Sequence, residues 1–303
     1  MLPLMNLTKP RHSLSLWSAT VLLFAAPGAY AAAAAADAPE HLERHFTVQG
    51  HPVVVLQNVV NGRIEVKSWK NQEIVVTSTS VRDRVDIDME QVGDRIDIAA
   101  NPTSISSNAQ PHEVEADFQL TVPEHTELQL KTQTGLIYVE QVTGDMKLES
   151  IAGDVHLKEV SGYIIVKTTG GSLVCTLCSG KLEFTSVSGG AQLLQPSFTN
   201  VSLLTTSGNI LYDGDFMRTG IYTMKSGKGL VEVRFSGNDS FDLQARTYSG
   251  IVDNQAAQYM QPEQHTSRHG NKFTRYLNRT VGLGFAKVEI STYSGTIRIL
   301  KRD

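Results

Sequence analysis

Residues 135–188 read GLIYVEQVT GDMKLESIA GDVHLKEVS GYIIVKTTG GSLVCTLCS GKLEFTSVS, six consecutive segments of nine residues that each begin with glycine. An internal repeat of fixed period is typical of solenoids and other stacked architectures, so it takes precedence over any single motif. Beyond this stretch the spacing lengthens, because Gly189, Gly208 and Gly227 lie nineteen residues apart. We assign the following glycines to structural turns: Gly135, Gly144, Gly153, Gly162, Gly171, Gly180, Gly189, Gly208 and Gly295.

Apolar residues occupy three positions of the unit when its glycine is counted as position 1. Positions 3 and 5 share one face of a strand, because side chains alternate between faces with a period of two. If the alternation continued, position 7 would be apolar, but position 7 is mostly polar and position 8 is mostly apolar. The pattern of inward-facing residues therefore shifts by one residue, as it does at a corner or bulge. We therefore predict a core formed by positions 3, 5 and 8. Position 8 is held by Val142, Ile151, Val160, Thr169, Cys178 and Val187.

These units predict an all-β, single-chain β-solenoid, a flattened two-sheet, β-helix-like stack of roughly nine-residue strand–turn units. Each unit supplies one short strand and one turn, and stacking buries apolar groups that a single unit cannot hide. Where the units run to eighteen or nineteen residues, two strands form one flattened coil. A β-meander of hairpins is the alternative topology. The coil is favoured because every turn has the same composition and the phase shift recurs at the same place.

The N-terminal residues have the features of a secretion signal. Lys9 and Arg11 precede an apolar run, 14–26, which is too short to span a bilayer comfortably. Ala29 and Ala31 satisfy the small-residue requirement for cleavage. No later segment is long and apolar enough to cross a membrane, so we expect a protein exported to the periplasm or cell surface of a bacterium. The predicted organisation is a signal peptide at 1–31, an alanine-rich linker at 32–40 and a β-repeat domain at 41–303.

Within that domain the periodicity varies along the chain. Regular repeats extend over about 128–250, and closing strands over 285–300 restore the pattern before the end of the sequence. Residues 253–271 are polar and show no period, so they are predicted to form a long loop.

Charge and motifs exclude several classes of function. The formal net charge is −4 with acidic and basic residues interspersed, whereas a nucleic-acid surface needs clustered Lys and Arg. The sequence contains no nucleophile-elbow, P-loop or dinucleotide-binding fingerprint. We therefore predict no nucleic-acid partner, no cofactor and no enzymatic activity.

The two cysteines of the chain, Cys175 and Cys178, form a C-x-x-C motif. Redox pairs of this kind lie at a helix N-terminus, which lowers the thiol pKa, whereas strand-like sequence flanks this pair. Both cysteines fall on predicted core positions, where free cysteine serves as a small apolar residue. Core packing is the first interpretation, and a local disulfide in an exported protein is the alternative.

Two alternative functions depend on acidic residues. Carboxylates from successive coils, such as Glu140 and Glu149, could serve glycoside hydrolysis in a polysaccharide-active β-helix enzyme. Calcium-binding nonapeptide repeats need two glycines and one aspartate per unit, but here aspartate follows glycine only at Asp145 and Asp154 within the regular units. A Ca²⁺-stabilised surface repeat is therefore a weaker alternative than turns stabilised by aspartate.

Several of these motifs resemble a known family, the bacterial putative-adhesin domains, which have no known function and are related to toast-rack domains. The opening strand pair carries part of the resemblance, with NVVNGRIEV at 58–66 followed by Trp69. A short signature around serine or threonine and glycine carries the rest over almost the whole mature chain. The match continues through LTVP at 120–123 and then through TGD at 143–145, AGD at 152–154, TSGNI at 206–210 and YSGTI at 293–297.

The resemblance implies a stacked β solenoid or sandwich that faces the periplasm or cell surface, and it implies no catalytic residues. The sequence departs from the family pattern in the polar loop at 253–271 and in its C-x-x-C motif. We therefore expect a non-catalytic interaction scaffold, a putative adhesin or envelope-stress protein, whose partner is an envelope or surface protein or a polysaccharide.

Overall fold

The computed structural model describes residues 39–81, 83–104, 114–261 and 275–302. The predicted signal peptide and most of the predicted linker lie outside the described residues. The described residues form 24 strands in two sheets of twelve, which confirms the predicted all-β, two-sheet solenoid.

Sheet A contains the strands of one side of the stack, most of them four to six residues long. In spatial order they are β1 (Pro39–Thr47), β4 (Glu73–Val81), β7 (Ala116–Pro123), β3 (Ile64–Trp69), β9 (Ile137–Glu140), β11 (Val155–Lys158), β13 (Leu173–Thr176), β15 (Ala191–Leu194), β17 (Ile210–Asp213), β19 (Leu230–Phe235), β24 (Thr296–Lys301) and β21 (Ile251–Asn254).

Sheet B contains longer strands and faces sheet A across the core. In spatial order they are β22 (Arg275–Val281), β20 (Phe241–Thr247), β23 (Ala286–Thr292), β18 (Ile221–Ser226), β16 (Ser197–Thr205), β14 (Ser179–Ser186), β12 (Ser161–Thr168), β10 (Met146–Ser150), β8 (Glu127–Thr132), β2 (Val53–Asn58), β6 (Arg95–Pro102) and β5 (Val85–Val92).

One coil of the solenoid consists of two nine-residue units. Consecutive units contribute strands to opposite sheets, and each strand pairs in parallel with the strand one full coil away. In sheet A, Ile137 is opposite Val155 and Val155 is opposite Leu173. In sheet B, Met146 is opposite Ile164. The parallel register over the regular repeats favours the coil over the β-meander.

The prediction that position 8 is always buried is wrong for every second unit. Position 8 is buried after the sheet A strands, as at Val160, but Ile151 and Val187, which follow sheet B strands, are 54% and 55% exposed. The two kinds of corner differ in backbone conformation. After sheet A strands, position 7 adopts the left-handed region, with φ of 53° at Glu159 and 56° at Leu177, which reverses the alternation of faces. Sheet B strands continue straight through position 7.

Position 7 of the sheet B units therefore carries a buried hydroxyl instead of an exposed one. These side chains cap the corner that follows, because the Gly153 N–H donates to Ser150 Oγ at 2.7 Å and the Gly189 N–H donates to Ser186 Oγ at 2.8 Å. Each hydroxyl thus satisfies a backbone group that the turn leaves without a strand partner. We call this column the hydroxyl ladder, and its buried members are Thr132, Ser150, Thr168, Ser186, Thr205, Ser226, Thr292 and Thr247.

The glycine that follows each ladder residue packs directly on a glycine of the neighbouring coil. A Cβ atom built on Gly153 would lie 1.7 Å from the carbonyl oxygen of Gly135, and one on Gly171 would lie 1.9 Å from that of Gly153. Only glycine permits this approach of backbone to backbone. The glycines of the opposite corner form a second column, since a Cβ on Gly162 would lie 2.1 Å from the oxygen of Gly144. The single nine-residue series in the sequence therefore combines two separate columns.

Both ends of the stack are modified. At the N-terminal end, β5 pairs antiparallel with β6 in sheet B, and β4 pairs antiparallel with both β7 and β1 in sheet A. At the other end, the coil formed by β23 and β24 lies between the coil β18–β19 and the coil β20–β21. The final segment of the chain is therefore paired on both sides. The predicted loop at 253–271 begins with two residues of β21 and includes a 3-10 helix over Ala257–Tyr259, and its remainder from residue 262 lies outside the described residues.

A buried aromatic cluster fills the core near the C-terminal end, and one buried carboxyl group lies beside it. The rings of Phe216 and Phe241 have centroids 4.6 Å apart, and Phe216 also contacts Tyr222. Asp239 is 8% exposed, and its Oδ1 accepts the Phe216 N–H at 3.0 Å, whereas its Oδ2 has no hydrogen-bond partner among the described residues. Burial raises the pKa of Asp239 to about 6, and the nearby Asp215 adds to the rise.

This buried carboxyl predicts a pH dependence of stability. The pKa of Asp239 is higher in the folded chain than its reference value of 3.8, so its contribution is fully present below pH 3.8 and is lost as the pH rises towards 6. The loss amounts to about 2–3 kcal/mol at most. We expect Asp239→Asn to remove this slope, so that the variant gains stability relative to the wild type between pH 4 and 7. Urea unfolding of both proteins across this pH range tests the prediction. If the free energy of unfolding changes with pH to the same extent in both proteins, the prediction is wrong.

Candidate functional site

The acidic residues proposed for glycoside hydrolysis do not form a pair. Glu140 lies in β9 of sheet A, whereas Glu149 lies in β10 of sheet B, so the two carboxylates belong to opposite sheets. Lys158 Nζ donates to Glu140 at 2.7 Å, and the Tyr138 hydroxyl donates to it at 3.0 Å. Both contacts lower the pKa of Glu140 and keep it ionised. A general acid needs a raised pKa, so this arrangement does not favour the enzyme alternative.

The aspartates that follow glycine act on the backbone of the next coil. Asp154 Oδ1 accepts the Ser172 N–H at 2.8 Å, and Asp145 Oδ1 accepts the Tyr163 N–H at 3.4 Å. Within the described ranges, no group of three or more His, Cys, Asp or Glu side chains is close enough to hold a metal ion. The sequence also contains two histidines four residues apart, His265 and His269, in the predicted polar loop, and both lie outside those ranges.

The two cysteines lie at one corner of the coil that begins with Gly171. Cys175 ends the inward-facing part of β13, Cys178 follows the left-handed residue Leu177, and both side chains are buried. A disulfide joins their sulfur atoms. In the preceding coil Leu157 and Val160 occupy the same two places, so the cysteine pair replaces an apolar contact and adds no exposed reactive group.

A network of charges covers the outer face of sheet A near the C-terminal end. Glu232 is buried between two arginines, with Arg234 Nε 2.7 Å from Oε1 and Arg298 Nη1 3.1 Å from Oε2. Arg234 also lies 3.4 Å from Asp213. Each charged side chain in this group is paired with one of opposite charge, and the pairs link the neighbouring strands β17, β19 and β24. The group therefore offers no unpaired charge to a ligand.

A groove on the outer face of sheet B is the candidate binding site. Its volume is about 600 Å³, within the roughly 300–1,000 Å³ range of small-molecule sites. It lies at the start of β12, β14 and β16, near the corner through which the chain enters sheet B. We call it the Tyr163 groove, and its lining residues are Gly162, Tyr163, Gly180, Lys181, Leu182, Glu183, Thr199 and Asn200.

A β-bulge borders the groove. Gly180 is opposite Phe198, but the next residue, Lys181, is opposite Asn200, so Thr199 is an extra residue in β16. The Thr199 hydroxyl donates to the carbonyl of Gly180 at 3.1 Å, which fixes the bulged strand on its neighbour. Bulges are frequent beside functional sites because they redirect side chains from the regular face.

A short hydrogen bond joins Tyr163 and Glu183 in the groove. The Tyr163 hydroxyl donates to Glu183 Oε1 at 2.6 Å. Lys181 is the strand partner of Tyr163, and Glu183 lies two residues further along β14, so the ring extends from one strand across the next. The tyrosine is 37% exposed, which leaves part of its ring open to solvent.

Sequence reasoning assigns Gly162 and Gly180 to turns and Glu183 to the outward face, but it assigns none of the groove residues to a binding site. One signal nevertheless marks their location. The distance from Gly171 to Gly189 is eighteen residues, whereas that from Gly189 to Gly208 is nineteen, and the additional residue is Thr199 of the bulge. A departure of one residue from a regular repeat predicts a local irregularity. Which side chains surround it depends on the strand register.

A comparison with family sequence models covers almost the whole stack of strands. A sequence model of the Toastrack DUF4097 family matches residues 55–300. The chain belongs to the Toastrack DUF4097 family. The match extends from β2 to β24, so nearly all of the described solenoid falls within the Toastrack region, and it confirms the resemblance seen in the motifs.

Solved structures that resemble this Toastrack chain are distant in sequence. A putative cell adhesion protein from Clostridium sporogenes is 10% identical, with a TM-score of 0.29 over 88% of this chain and 100% of the other. A putative adhesin from Bacteroides fragilis is 11% identical, with a TM-score of 0.38 over 86% and 97%. A putative lipid binding protein from Parabacteroides distasonis is 9% identical, with a TM-score of 0.34 over 87% and 97%. No curated protein matches the chain.

Proposed function

We propose that this Toastrack protein is an exported, non-catalytic scaffold that binds other molecules of the bacterial cell envelope or surface. The observation that carries the proposal is the outer face of sheet B, which runs along the whole stack and carries the Tyr163 groove together with smaller depressions of about 250 and 230 Å³. Solenoids present extended, rigid surfaces of this kind to their partners.

One further feature supports a binding role over a catalytic one. Several carboxylates on the sheet faces are paired with lysine or arginine, as Glu140 is with Lys158 and Glu149 with Lys147. None of the helices in the described part of the chain has the length and hydropathy to cross a membrane. Adhesion and envelope-stress sensing are the two more specific roles that such a scaffold would serve.

Saturable binding to envelopes tests the proposal. Purified mature protein, fluorescently labelled, is titrated against envelope preparations of the source bacterium, with unlabelled protein as competitor and heat-denatured protein as control. We expect saturable binding that the unlabelled protein displaces. Binding that never saturates, or that the denatured protein reproduces, would refute the scaffold proposal, and release of reducing sugar that Glu140→Gln or Glu149→Gln abolishes would support an enzyme instead.

Export makes a separate prediction about the cysteines. In an oxidising compartment Cys175 and Cys178 are expected to be joined, since periplasmic and secreted proteins keep their disulfides. The protein from the exported fraction, denatured and treated with a maleimide, should gain no label, and the same sample reduced beforehand should gain two. Recovery of the uncleaved chain in the cytoplasm with two free thiols would contradict both export and the disulfide.

A further inference from the structure

The geometry points to the Tyr163 groove as a binding site for a neutral sugar ring within a surface polysaccharide. This inference rests on the proposed function and names the ligand class for the scaffold. It is carried by the aromatic ring and the mixed polar groups that converge on the groove.

Tyr163 provides a fixed aromatic platform. Its hydroxyl is held by Glu183 at 2.6 Å, so the ring cannot swing freely away from the sheet. The face of an aromatic ring is electron-rich and apolar, and the C–H groups of one side of a pyranose ring pack well against such a face. Tyrosine suits this role because it provides a large contact area with few rotatable bonds to immobilise.

The surrounding polar groups match sugar hydroxyls, which both donate and accept hydrogen bonds. Glu183 offers an acceptor, Lys181 offers donors, and the amide of Asn200 offers both. The three side chains lie on the neighbouring strands β14 and β16, beside the extra residue of the bulge. A few polar groups placed around an apolar platform are the usual basis of small-ligand specificity.

The charge of the groove favours a neutral ligand. Lys181 and Glu183 are the only charged residues among those that line it, and their charges cancel. A polyanion or a nucleic acid would need a cluster of cationic side chains, which this lining does not provide. The groove also lies open on the face of a sheet, so a polymer can continue beyond the bound ring on either side.

Affinity electrophoresis of the full mature protein tests the inference. Native gels contain increasing concentrations of dextran, mannan or mixed-linkage β-glucan as neutral probes, with polygalacturonate as an anionic probe. We expect at least one neutral polymer to retard the wild-type protein and Tyr163→Ala to weaken that retardation at least tenfold. Tyr163→Phe, which keeps the ring and loses the contact with Glu183, should show a smaller effect. Tyr276→Ala removes an exposed tyrosine from β22, outside the groove, and should behave as the wild type.

Several results would overturn the inference. The first is that none of the neutral polymers retards the wild-type protein, and the second is that a neutral polymer retards Tyr163→Ala as strongly as the wild type. The third is that Tyr276→Ala loses as much retardation as Tyr163→Ala. The fourth is that polygalacturonate retards the wild type more strongly than every neutral polymer does. Thermal unfolding of each variant verifies that a loss of binding does not reflect a loss of fold. If the neutral polymers fail while the wild-type protein still binds envelopes saturably, the sugar ligand is wrong and the scaffold proposal stands. If envelope binding fails as well, the proposed function is also wrong.

Discussion

Replacing Gly171 with alanine is expected to lower the free energy of unfolding by about 3 kcal/mol or more, whereas the same change at the adjacent Gly170 should alter it by less than about 1 kcal/mol. The added Cβ at position 171 would lie 1.9 Å from the carbonyl oxygen of Gly153 and 2.6 Å from its carbonyl carbon. At position 170 the nearest atom is 3.8 Å away, which is an ordinary van der Waals contact.

The clash at Gly171 cannot be relieved by a side-chain movement, because the atoms it meets belong to the backbone of the preceding coil. The two coils would have to separate, and separation would break parallel hydrogen bonds between β11 and β13. Neither glycine has a φ in the left-handed region, so backbone strain contributes equally little to the two variants.

Equilibrium unfolding in urea, with the wild type and both variants measured together, tests this expectation. Gly170→Ala serves as the matched control, since it makes the same chemical change one residue away. Equal stabilities for Gly170→Ala and Gly171→Ala would show that the coils do not pack through their glycines as the structure places them.

The fold was largely predictable from the sequence because the inward positions of a strand repeat with a period of two. Positions 3 and 5 are buried in both sheets, as at Leu173 and Cys175 in sheet A and Leu182 and Phe184 in sheet B. Because almost every unit has an apolar residue at these positions, the sequence alone is enough to predict that they are buried. The flattened two-sheet stack follows once each unit is recognised as a strand and a turn that must stack to bury them.

The corners were predicted less well, because two different corners share one sequence period. Leu177 reverses the alternation of faces through a left-handed backbone, whereas Ser186 continues the strand and uses its hydroxyl to hold the next turn. A serine or threonine at position 7 looks solvent-exposed in the sequence, since burial of a hydroxyl requires a partner that only the folded corner supplies. The groove was missed for the same kind of reason, because Tyr163, Glu183 and Asn200 meet only through the register of three strands.

The second large effect follows from this difference between corners. Val160→Asp is expected to destabilise the protein by about 4 kcal/mol or more, or to prevent folding, because an unpaired carboxylate would be placed in the core. Val187→Asp should change stability by about 0.5 kcal/mol or less, as surface substitutions usually do. Both valines hold position 8 of a nine-residue unit, but Val160 is 1% exposed and Val187 is 55% exposed.

The stabilities of these two variants show whether one coil contains one nine-residue unit or two. If one coil were a single nine-residue unit, the two valines would be equivalent and both substitutions would be severe. With two units per coil, only the valine that follows the sheet A strand β11 faces the core. Circular dichroism and urea unfolding of both variants decide between these outcomes, and Val160→Ala gives the cost of the lost methyl groups alone. A stable Val160→Asp variant, or an unfolded Val187→Asp variant, would contradict the placement of the corners. Either result would mean that the valine after the sheet A strand is not the buried one of the pair.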